Sequence, residues 1–320
     1  MAEREALVIG AGVIGLTAAV RLREAGWRVH VRAAEPPERT TSAVAAAMWY
    51  PYRVGPEALV TEWGERSYAM FRRLAADPYT GVRMTPGIEL LPPGADPGIV
   101  PDWAAHIPDF RTARADEVPA GRVGWAFTVP VADTAVYLRW LAARFAEHGG
   151  EVEIGRVASL REVAGEFPLV VNCTGLGARE LVGDAAMRAV RGQIVRVENP
   201  GLRSFWLDEY DPEGLLYVIP RGADCVLGGT ADEGEEETAA DPAVADSILR
   251  RCAAAVPALA GARVLEHGVG LRPWRPEVRL EAESIGGATV IHDYGHGGAG
   301  VTLSWGCAER VVELARAAMG

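Results

Sequence analysis

The feature that most restricts the fold is a glycine motif near the amino terminus, with a predicted strand before it and a predicted helix after it. Residues 10–15 match the pattern G-x-G-x-x-G. The apolar run over 6–9 is typical of a strand buried on both faces, and apolar residues recur at helical spacing over 13–25. The alternation over 27–31 predicts a second strand. Strand, tight turn, helix and strand in this order form a βαβ unit.

The three glycines of this motif serve different purposes in a dinucleotide site. Gly10 allows the tight turn, Gly12 lets the backbone approach a pyrophosphate, and Gly15 allows close packing of the helix on the strand. The helix begins near Val13 and Ile14, where free N–H groups and the positive end of the helix dipole favour a phosphate. We therefore predict that these five residues bind a dinucleotide. The alternative is a glycine-rich turn without a ligand.

An acidic residue in this region is a candidate for binding a ribose. Glu35 lies 20 residues beyond Gly15, close to the position where a carboxylate accepts hydrogen bonds from ribose hydroxyls. The alternative is a surface glutamate in a proline-rich loop, and the sequence does not decide between the two.

Three more apolar runs predict further strands of the same sheet. They cover residues 151–154, 168–172 and 288–292, with predicted helices over 134–148 and 302–318. Strands that alternate with helices build a parallel sheet. We therefore expect these strands to lie beside the first two, although long insertions separate them in the sequence.

The insertions have a different character and indicate a second domain. Residues 51–133 contain many prolines, several tryptophans and short alternating runs, and residues 186–270 contain runs rich in strand-forming residues, which favour antiparallel strands. The predicted fold class is α/β, with a Rossmann-like domain from residues 1–50, 134–185 and 271–320. The two insertions are predicted to form a substrate domain that is largely antiparallel β.

A second glycine-rich turn distinguishes between the possible dinucleotides. Residues 295–300 read Gly-His-Gly-Gly-Ala-Gly and join a predicted strand to the last predicted helix. A nicotinamide cofactor has no evident need for this second turn. A flavin ring extends away from the pyrophosphate and gains from a close backbone and a helix N-terminus, which stabilises negative charge on the reduced ring. The expected cofactor is therefore FAD.

Composition excludes several other classes of protein. Acidic residues outnumber basic ones 43 to 32, for a net charge of −11, which argues against binding to nucleic acid or to an anionic membrane surface. No apolar stretch approaches the roughly 20 residues of a spanning helix. Residues 1–5 do not resemble a signal peptide and the carboxyl end carries no peroxisomal signal, so a cytoplasmic location is expected.

The four cysteines have no spacing typical of a metal site or a redox motif. We therefore predict no bound metal and expect buried free thiols, with oxidation of one pair left open.

Several segments together resemble the FAD-dependent D-amino acid oxidase family, which includes D-amino acid oxidases and D-aspartate oxidases. The similarity covers most of the chain, in order. The segments that carry it are residues 8–16, 40–52, 171–175, 191–194, 270–273 and 294–308. The most specific are Gly-Leu-Arg-Pro at 270–273 and the long glycine-rich block from residue 294.

The resemblance implies substrate-binding roles for four residues. Arg272 would bind the substrate carboxylate through a bidentate pair, and Tyr217 would donate its hydroxyl to the same group. Tyr52 would lie beside the substrate, and the carbonyl of Gly298 would accept a hydrogen bond from its amine. Without the resemblance, Arg272 is one of several arginines in a proline-rich stretch and Tyr217 reads as a core tyrosine.

The resemblance also implies which residues line FAD, in addition to the first glycine motif. They are Thr40, Thr41, Ser42, Ala46, Ala47, Met48, Val157, Thr174, Gly297, Gly298, Ala299, Gly300, Val301 and Thr302.

The implied reaction oxidises a D-amino acid to its imino acid by hydride transfer from Cα to flavin N5. Oxygen would reoxidise the flavin and give hydrogen peroxide, and the imino acid would hydrolyse to a 2-oxo acid and ammonia. Alignment carries this step, so no residue is assigned as a general acid or base. His296 is interpreted as a structural or flavin-lining residue.

The choice of substrate rests on the residues expected around the side chain. Met48, Trp49, Tyr50 and Tyr52 suggest an apolar wall, which favours neutral D-amino acids. The alternative is a D-aspartate oxidase, which needs a further cation, and Arg221 is a candidate for it. A flavin dehydrogenase with another electron acceptor and a nucleotide-binding regulator also stay open.

Two further features concern access to the site and assembly. Residues 211–215 are shorter than the lid-bearing segment of some family members, so an open site is expected. A homodimer is one possible assembly.

Overall fold

A computed structural model describes residues 4–147 and 149–319. The expectation about the amino terminus rests partly on residues 1–3, and residues 148 and 320 end a predicted helix and a predicted domain. These five residues lie outside the described part of the chain.

The described chain contains alternating strands and helices as well as runs of consecutive strands. The strands are β1 (Glu5–Ile9), β2 (Arg28–Ala33), β3 (Val82–Leu90), β4 (Arg111–Thr112), β5 (Gly124–Ala132), β6 (Val152–Ile154), β7 (Leu169–Asn172), β8 (Arg188–Glu198), β9 (Phe205–Asp208), β10 (Leu216–Pro220), β11 (Asp224–Gly228), β12 (Asp232–Glu233), β13 (Val264–Ile285) and β14 (Ala288–His296). The helices are α1 (Val13–Glu24), α2 (Thr41–Val44), α3 (Glu57–Leu74), α4 (Thr134–Glu147), α5 (Leu160–Ala164), α6 (Ala178–Leu181), α7 (Pro242–Ala255) and α8 (Gly300–Met319). Short 3₁₀ turns cover Pro37–Arg39, Pro78–Thr80, Asp102–His106, Gly175–Gly177 and Pro257–Leu259.

The predicted parallel sheet is confirmed. Its strands lie in the order β14, β7, β1, β2, β6, and every neighbouring pair is parallel. Residues 6–9 of β1 and all of β7 are buried, as expected for strands covered by helices on both faces. Helix α1 packs against α8 and α4 on one face. The carboxyl ends of β1, β7 and β14 therefore meet at one edge of the sheet.

The two insertions form the other part of the sheet, in the order β4, β5, β3, β9, β10, β11, β8. All neighbouring pairs there are antiparallel except β3 with β9, which is parallel. The prediction of a largely antiparallel second region is confirmed. Helix α7 covers one face of this region and contributes Ile248 and Cys252 to a separate small core.

One long strand joins the two parts of the sheet. β13 pairs with β8 through Trp274 and then, after an irregularity between Trp274 and Arg279, with β14. All the strands consequently belong to one continuous sheet. The predicted domain boundary at residue 271 falls inside β13, and the division of the chain into two domains stays a prediction.

Two expectations from the sequence concern the state of the cysteine thiols and the character of the helices. All four cysteines are buried and unpaired, so the expectation of buried free thiols is confirmed. Within the described ranges, no helix combines the length and the apolar character that crossing a membrane requires.

Candidate active site

A cavity of about 680 Å³ runs along the junction between the parallel and antiparallel parts of the sheet. A volume of this size lies within the range of cofactor and substrate pockets, about 300–1,000 Å³. The cavity begins beside Glu35 and Arg39, passes the first glycine turn, and reaches Tyr217 and Arg272. The site thus has one end made by parallel strands and another made by antiparallel strands.

The first glycine turn forms the wall near the start of α1. Gly10 has a φ of +114°, and a Cβ built there would lie 2.5 Å from the carbonyl oxygen of Cys173. A Cβ on Gly15 would lie 2.0 Å from the carbonyl oxygen of Gly10. Helix α1 has no acidic side chain in its first turn. The turn therefore presents backbone and a positive helix end to the cavity, as an anionic pyrophosphate requires.

The loop before and within α2 closes over this turn. Ser42 Oγ accepts a hydrogen bond of 3.0 Å from the backbone N–H of Val13. The hydroxyl of Thr41 donates to the carbonyl oxygen of Leu271 at 3.1 Å, which ties the loop to β13. The residues from Thr40 to Ser42 and from Ala46 to Met48 all line the cavity. Their contact with FAD stays a prediction, which this position is compatible with.

The second glycine turn brings backbone against the substrate end. Gly297 has a φ of +53°, and a Cβ on Gly298 would lie 2.6 Å from the ring of Tyr52. Side chains at these positions would displace their neighbours, which explains the need for glycine. Gly297, Gly298, Gly300 and Val301 line the cavity at the start of α8.

Arg272 lies at the far end of the cavity on β13 and is half-buried. Its guanidinium donates to the carbonyl oxygen of Thr230 at 3.0 Å. Within the part of the chain that the structure describes, no carboxylate lies within 4.0 Å of it. A Cβ on Gly192 would lie 2.4 Å from its Nη1 atom. The guanidinium is thus packed against backbone and has capacity for an anionic ligand.

Tyr217 and Tyr52 lie beside Arg272. Tyr217 is buried on β10 directly across from Gly228, where a Cβ would lie 1.9 Å from the tyrosine Cζ. Burial raises the pKa of Tyr217, and the nearby Arg272 charge lowers it less. The hydroxyl therefore stays protonated at neutral pH and can donate a hydrogen bond. Tyr52 lines the cavity, with the Arg53 guanidinium 5.3 Å from its ring centre.

Most of the predicted site residues are brought together, and three are not in the cavity wall. Gly15 packs behind Gly10, and Ala299 is fully buried. Thr302 instead exchanges hydrogen bonds of 3.0 and 2.9 Å with the backbone of Tyr50. These three residues hold the two turns and the Tyr50 segment in place. The other predicted cofactor residues line the cavity.

Glu35 lies at the cavity end predicted for the ribose, and its side chain is exposed. The Arg39 guanidinium is 3.9 Å from its carboxylate. This position is compatible with a hydrogen bond from a ribose hydroxyl to Glu35. That contact stays a prediction.

Arg221, the candidate cation for an acidic substrate, is buried away from the cavity. Its Nη2 atom lies 3.0 Å from Asp224, and its Nη1 donates to Thr134 at 3.0 Å. With these partners it is not available to a substrate side chain.

The sequence reading missed two acidic residues near the substrate end. Tyr50 lines the cavity and donates a 2.7 Å hydrogen bond to Glu89, whose pKa burial raises to about 8. Glu209 lines the same end. Their local sequence does not identify them as site residues, because they come near the cavity only when the strands of the antiparallel part of the sheet pair.

A buried polar group on β14 was also missed. Asp293 and His296 line the cavity, and Oδ1 of Asp293 lies 3.2 Å from Nε2 of His296. Both oxygens of Asp293 and this nitrogen are buried, and none has a hydrogen-bond partner among the described residues. Such atoms fit an occupant that carries hydroxyl groups, as the ribityl chain and ribose of FAD do. The glycine turns and these atoms together fit FAD.

Asp293 and His296 also form a buried cluster with Cys307, with ligand atoms within 4.8 Å of one another. Burial, with the charge of Asp293 as a smaller cause, raises the pKa of the Cys307 thiol well above its usual range. Two of the three members of this cluster, Asp293 and His296, line the cofactor cavity, and Cys307 does not.

Comparison with known proteins agrees with this geometry. The family model described as FAD dependent oxidoreductase matches residues 5–314. The chain therefore belongs to this family, and FAD is its cofactor. It is 56% identical to the D-amino-acid oxidase of Rubrobacter xylanophilus, over 98% of this chain and 96% of that protein.

Two further matches extend the comparison. The chain is 50% identical to the D-amino-acid oxidase of Streptomyces coelicolor, over 98% of this chain and 97% of that protein. The crystal structure of glycine oxidase from Bacillus cereus matches with a TM-score of 0.80 at 22% identity, over 98% of this chain and 95% of that one. At this identity the structural match establishes the fold alone.

Proposed function

We propose that the protein is a D-amino acid oxidase that acts on neutral D-amino acids. The observation that carries the proposal is Arg272, which ends a cofactor-sized cavity and has no carboxylate partner among the described residues. Its guanidinium matches the carboxylate that all α-amino acids carry. The 56% and 50% identical relatives support the same activity.

The substrate is held by three groups of the chain. Arg272 binds the carboxylate, and the protonated hydroxyl of Tyr217 donates to it. The carbonyl oxygen of Gly298 accepts a hydrogen bond from the amine, and the ring of Tyr52 limits movement beside it. Two anchored groups on one tetrahedral carbon leave only one enantiomer with its hydrogen directed at the cofactor.

The bound FAD supplies the acceptor for the hydride that leaves Cα. The chain's contribution is alignment and exclusion of water, since transfer of a hydride from Cα requires no side chain to remove a proton from that carbon. His296 lines the cavity beside Asp293, which agrees with a structural or cofactor-lining role. With FAD bound, the overall reaction would consume oxygen and give hydrogen peroxide, and the imino acid would hydrolyse to a 2-oxo acid and ammonia.

The side-chain end favours neutral substrates over aspartate. Arg221 is paired with Asp224 and lies outside the cavity. Met48 and the two tyrosines at positions 50 and 52 line the wall. An acidic side chain would therefore meet apolar and acidic groups.

The test is release of hydrogen peroxide from a panel of D- and L-amino acids with added FAD. We expect peroxide from D-valine and D-methionine, little from D-aspartate, and none from the L-enantiomers. Equal turnover of both enantiomers would contradict the proposed alignment. Reduction of an added dye without peroxide under air would instead identify a dehydrogenase.

The assembly and the location of the enzyme are further parts of the proposal. We propose a cytoplasmic enzyme of D-amino acid breakdown, for which no membrane or nucleic acid partner is needed. A homodimer is the simplest assembly to test by light scattering.

A further inference from the structure

Of the charged residues at the substrate end, one has an assigned role in the reaction and one does not. Of the charged residues that line the cavity in the described part of the chain, only Arg272 and Glu209 belong to its antiparallel part. Arg272 is assigned to the substrate carboxylate. Glu209 has no role in the reaction as derived above.

Glu209 lies in the turn that directly follows β9. Leu207, on β9, is paired with Tyr217 and lines the cavity. Asp208 points to the other side, where Arg122 donates to it at 3.1 Å. Glu209 lines the cavity again, although it is outside the strand. Two adjacent acidic residues thus have opposite environments, one neutralised and one facing the ligand.

Glu209 is half-buried and has no cation within 4.0 Å among the described residues. Burial raises its pKa, and the charge of Arg53 lowers it less. Arg53 itself lies 3.6 Å from Glu233 and does not line the cavity. A half-buried carboxylate without a close partner is costly unless a ligand compensates it.

Glu209 and Arg272 line the same cavity, together with Tyr52. Both charges shift the pKa of Tyr52, in opposite directions. Tyr52 lies beside Gly298, the predicted acceptor for the substrate amine. A substrate anchored at Arg272 and Gly298 therefore extends its side chain along a wall that includes Glu209.

We propose that Glu209 determines side-chain specificity by its charge, so that the enzyme accepts D-amino acids with a cationic side chain and rejects those with an anionic one. The proposal rests on the proposed oxidase function and adds a substrate class to it. A cationic group supplies the partner that Glu209 lacks, and a second carboxylate is repelled by it.

The test uses pairs of substrates that differ in charge and little in shape. D-Arginine is compared with D-citrulline, and D-glutamate with D-glutamine. We expect kcat/KM to favour D-arginine over D-citrulline and D-glutamine over D-glutamate, each by about tenfold. In Glu209→Gln, both ratios should fall toward one. Because each ratio comes from one preparation, loss of folded enzyme does not alter it.

The matched control is Glu213→Gln, which removes the same charge from the same connection. Glu213 is exposed, pairs with Arg250 at 3.1 Å and does not line the cavity. We expect both ratios to keep their parent values in this variant. A second variant, Glu209→Arg, should reverse the preference between D-glutamate and D-glutamine.

The outcomes separate the two proposals. Turnover of D-methionine together with ratios near one in the parent enzyme would overturn the role of Glu209 and leave the oxidase function intact. Ratios that do not change in Glu209→Gln would also overturn it. Absence of peroxide with every D-amino acid, in protein that binds FAD, would overturn both.

Discussion

The two ends of the cavity differ in how much of their lining is backbone and how much is side chain. The cofactor end consists mainly of backbone from the first glycine turn and the start of α1, and the second glycine turn, at the start of α8, reaches the substrate end. The substrate end also carries side chains from three regions of the antiparallel part, with Arg272 far from Glu209 and Tyr217 in the sequence. Cofactor recognition therefore depends on short segments of the sequence, whereas substrate recognition depends on how the sheet brings β9, β10 and β13 together.

The largest expected effect tests the cofactor end. In Gly15→Ala, a Cβ would lie 2.0 Å from the carbonyl oxygen of Gly10, so the turn must open. We expect this to weaken FAD binding by about 3 kcal/mol or more, measured as the Kd of FAD by fluorescence quenching. Gly165→Ala is the control, since its nearest neighbour would be 3.5 Å away. Equal affinity in both variants would show that the turn does not hold the cofactor.

The next effect tests the substrate end. Arg272→Ala removes the partner of the substrate carboxylate and should lower kcat/KM, mainly through KM, by about 2–5 kcal/mol in free-energy terms. The Kd of FAD should change little, which would separate the two ends of the cavity. Steady-state peroxide assays provide the measurement.

The control for this variant lies on the same strand. Arg275 is bonded to Asp184 at 3.1 Å and does not line the cavity. Arg275→Ala should therefore keep the parent KM. Kinetics near those of the parent in Arg272→Ala would end the assignment of this residue.

The smallest effect concerns the buried carboxyl behind the substrate end. The pKa of Glu89 is about 8 in the folded protein, against an ordinary value of 4.5. Between these values the folded chain keeps a proton that the unfolded chain releases. The stability contribution is therefore fully present below pH 4.5 and is lost as pH rises through 8, by up to about 1.4 kcal/mol per pH unit.

Glu89→Gln removes this titration and keeps an oxygen that accepts from Tyr50. We expect the free energy of unfolding of the parent, relative to the variant, to decrease steadily from pH 5 to pH 8 in urea titrations. Glu213→Gln, which removes an exposed charge, controls for net charge. Parallel pH profiles for parent and Glu89→Gln would contradict the raised pKa and the buried position that causes it.

Prediction from the sequence succeeded where function depends on neighbouring residues. The βαβ unit, the five parallel strands and both glycine turns follow from local patterns, because turn geometry and helix dipoles are properties of short segments. Arg272 and Tyr217 were reached through resemblance. Local pattern alone reads them as an arginine in a proline-rich stretch and a core tyrosine.

The sequence alone predicted a dinucleotide site built on a glycine turn, and its acidic composition argues against nucleic acid partners. Only the tertiary structure decided that Arg221 is bound to Asp224, that Thr302 holds the backbone of Tyr50, and that Glu209 faces the cavity while Asp208 does not. The physical reason is that the environment of a side chain depends on strand pairing and burial, which combine residues from distant parts of the chain.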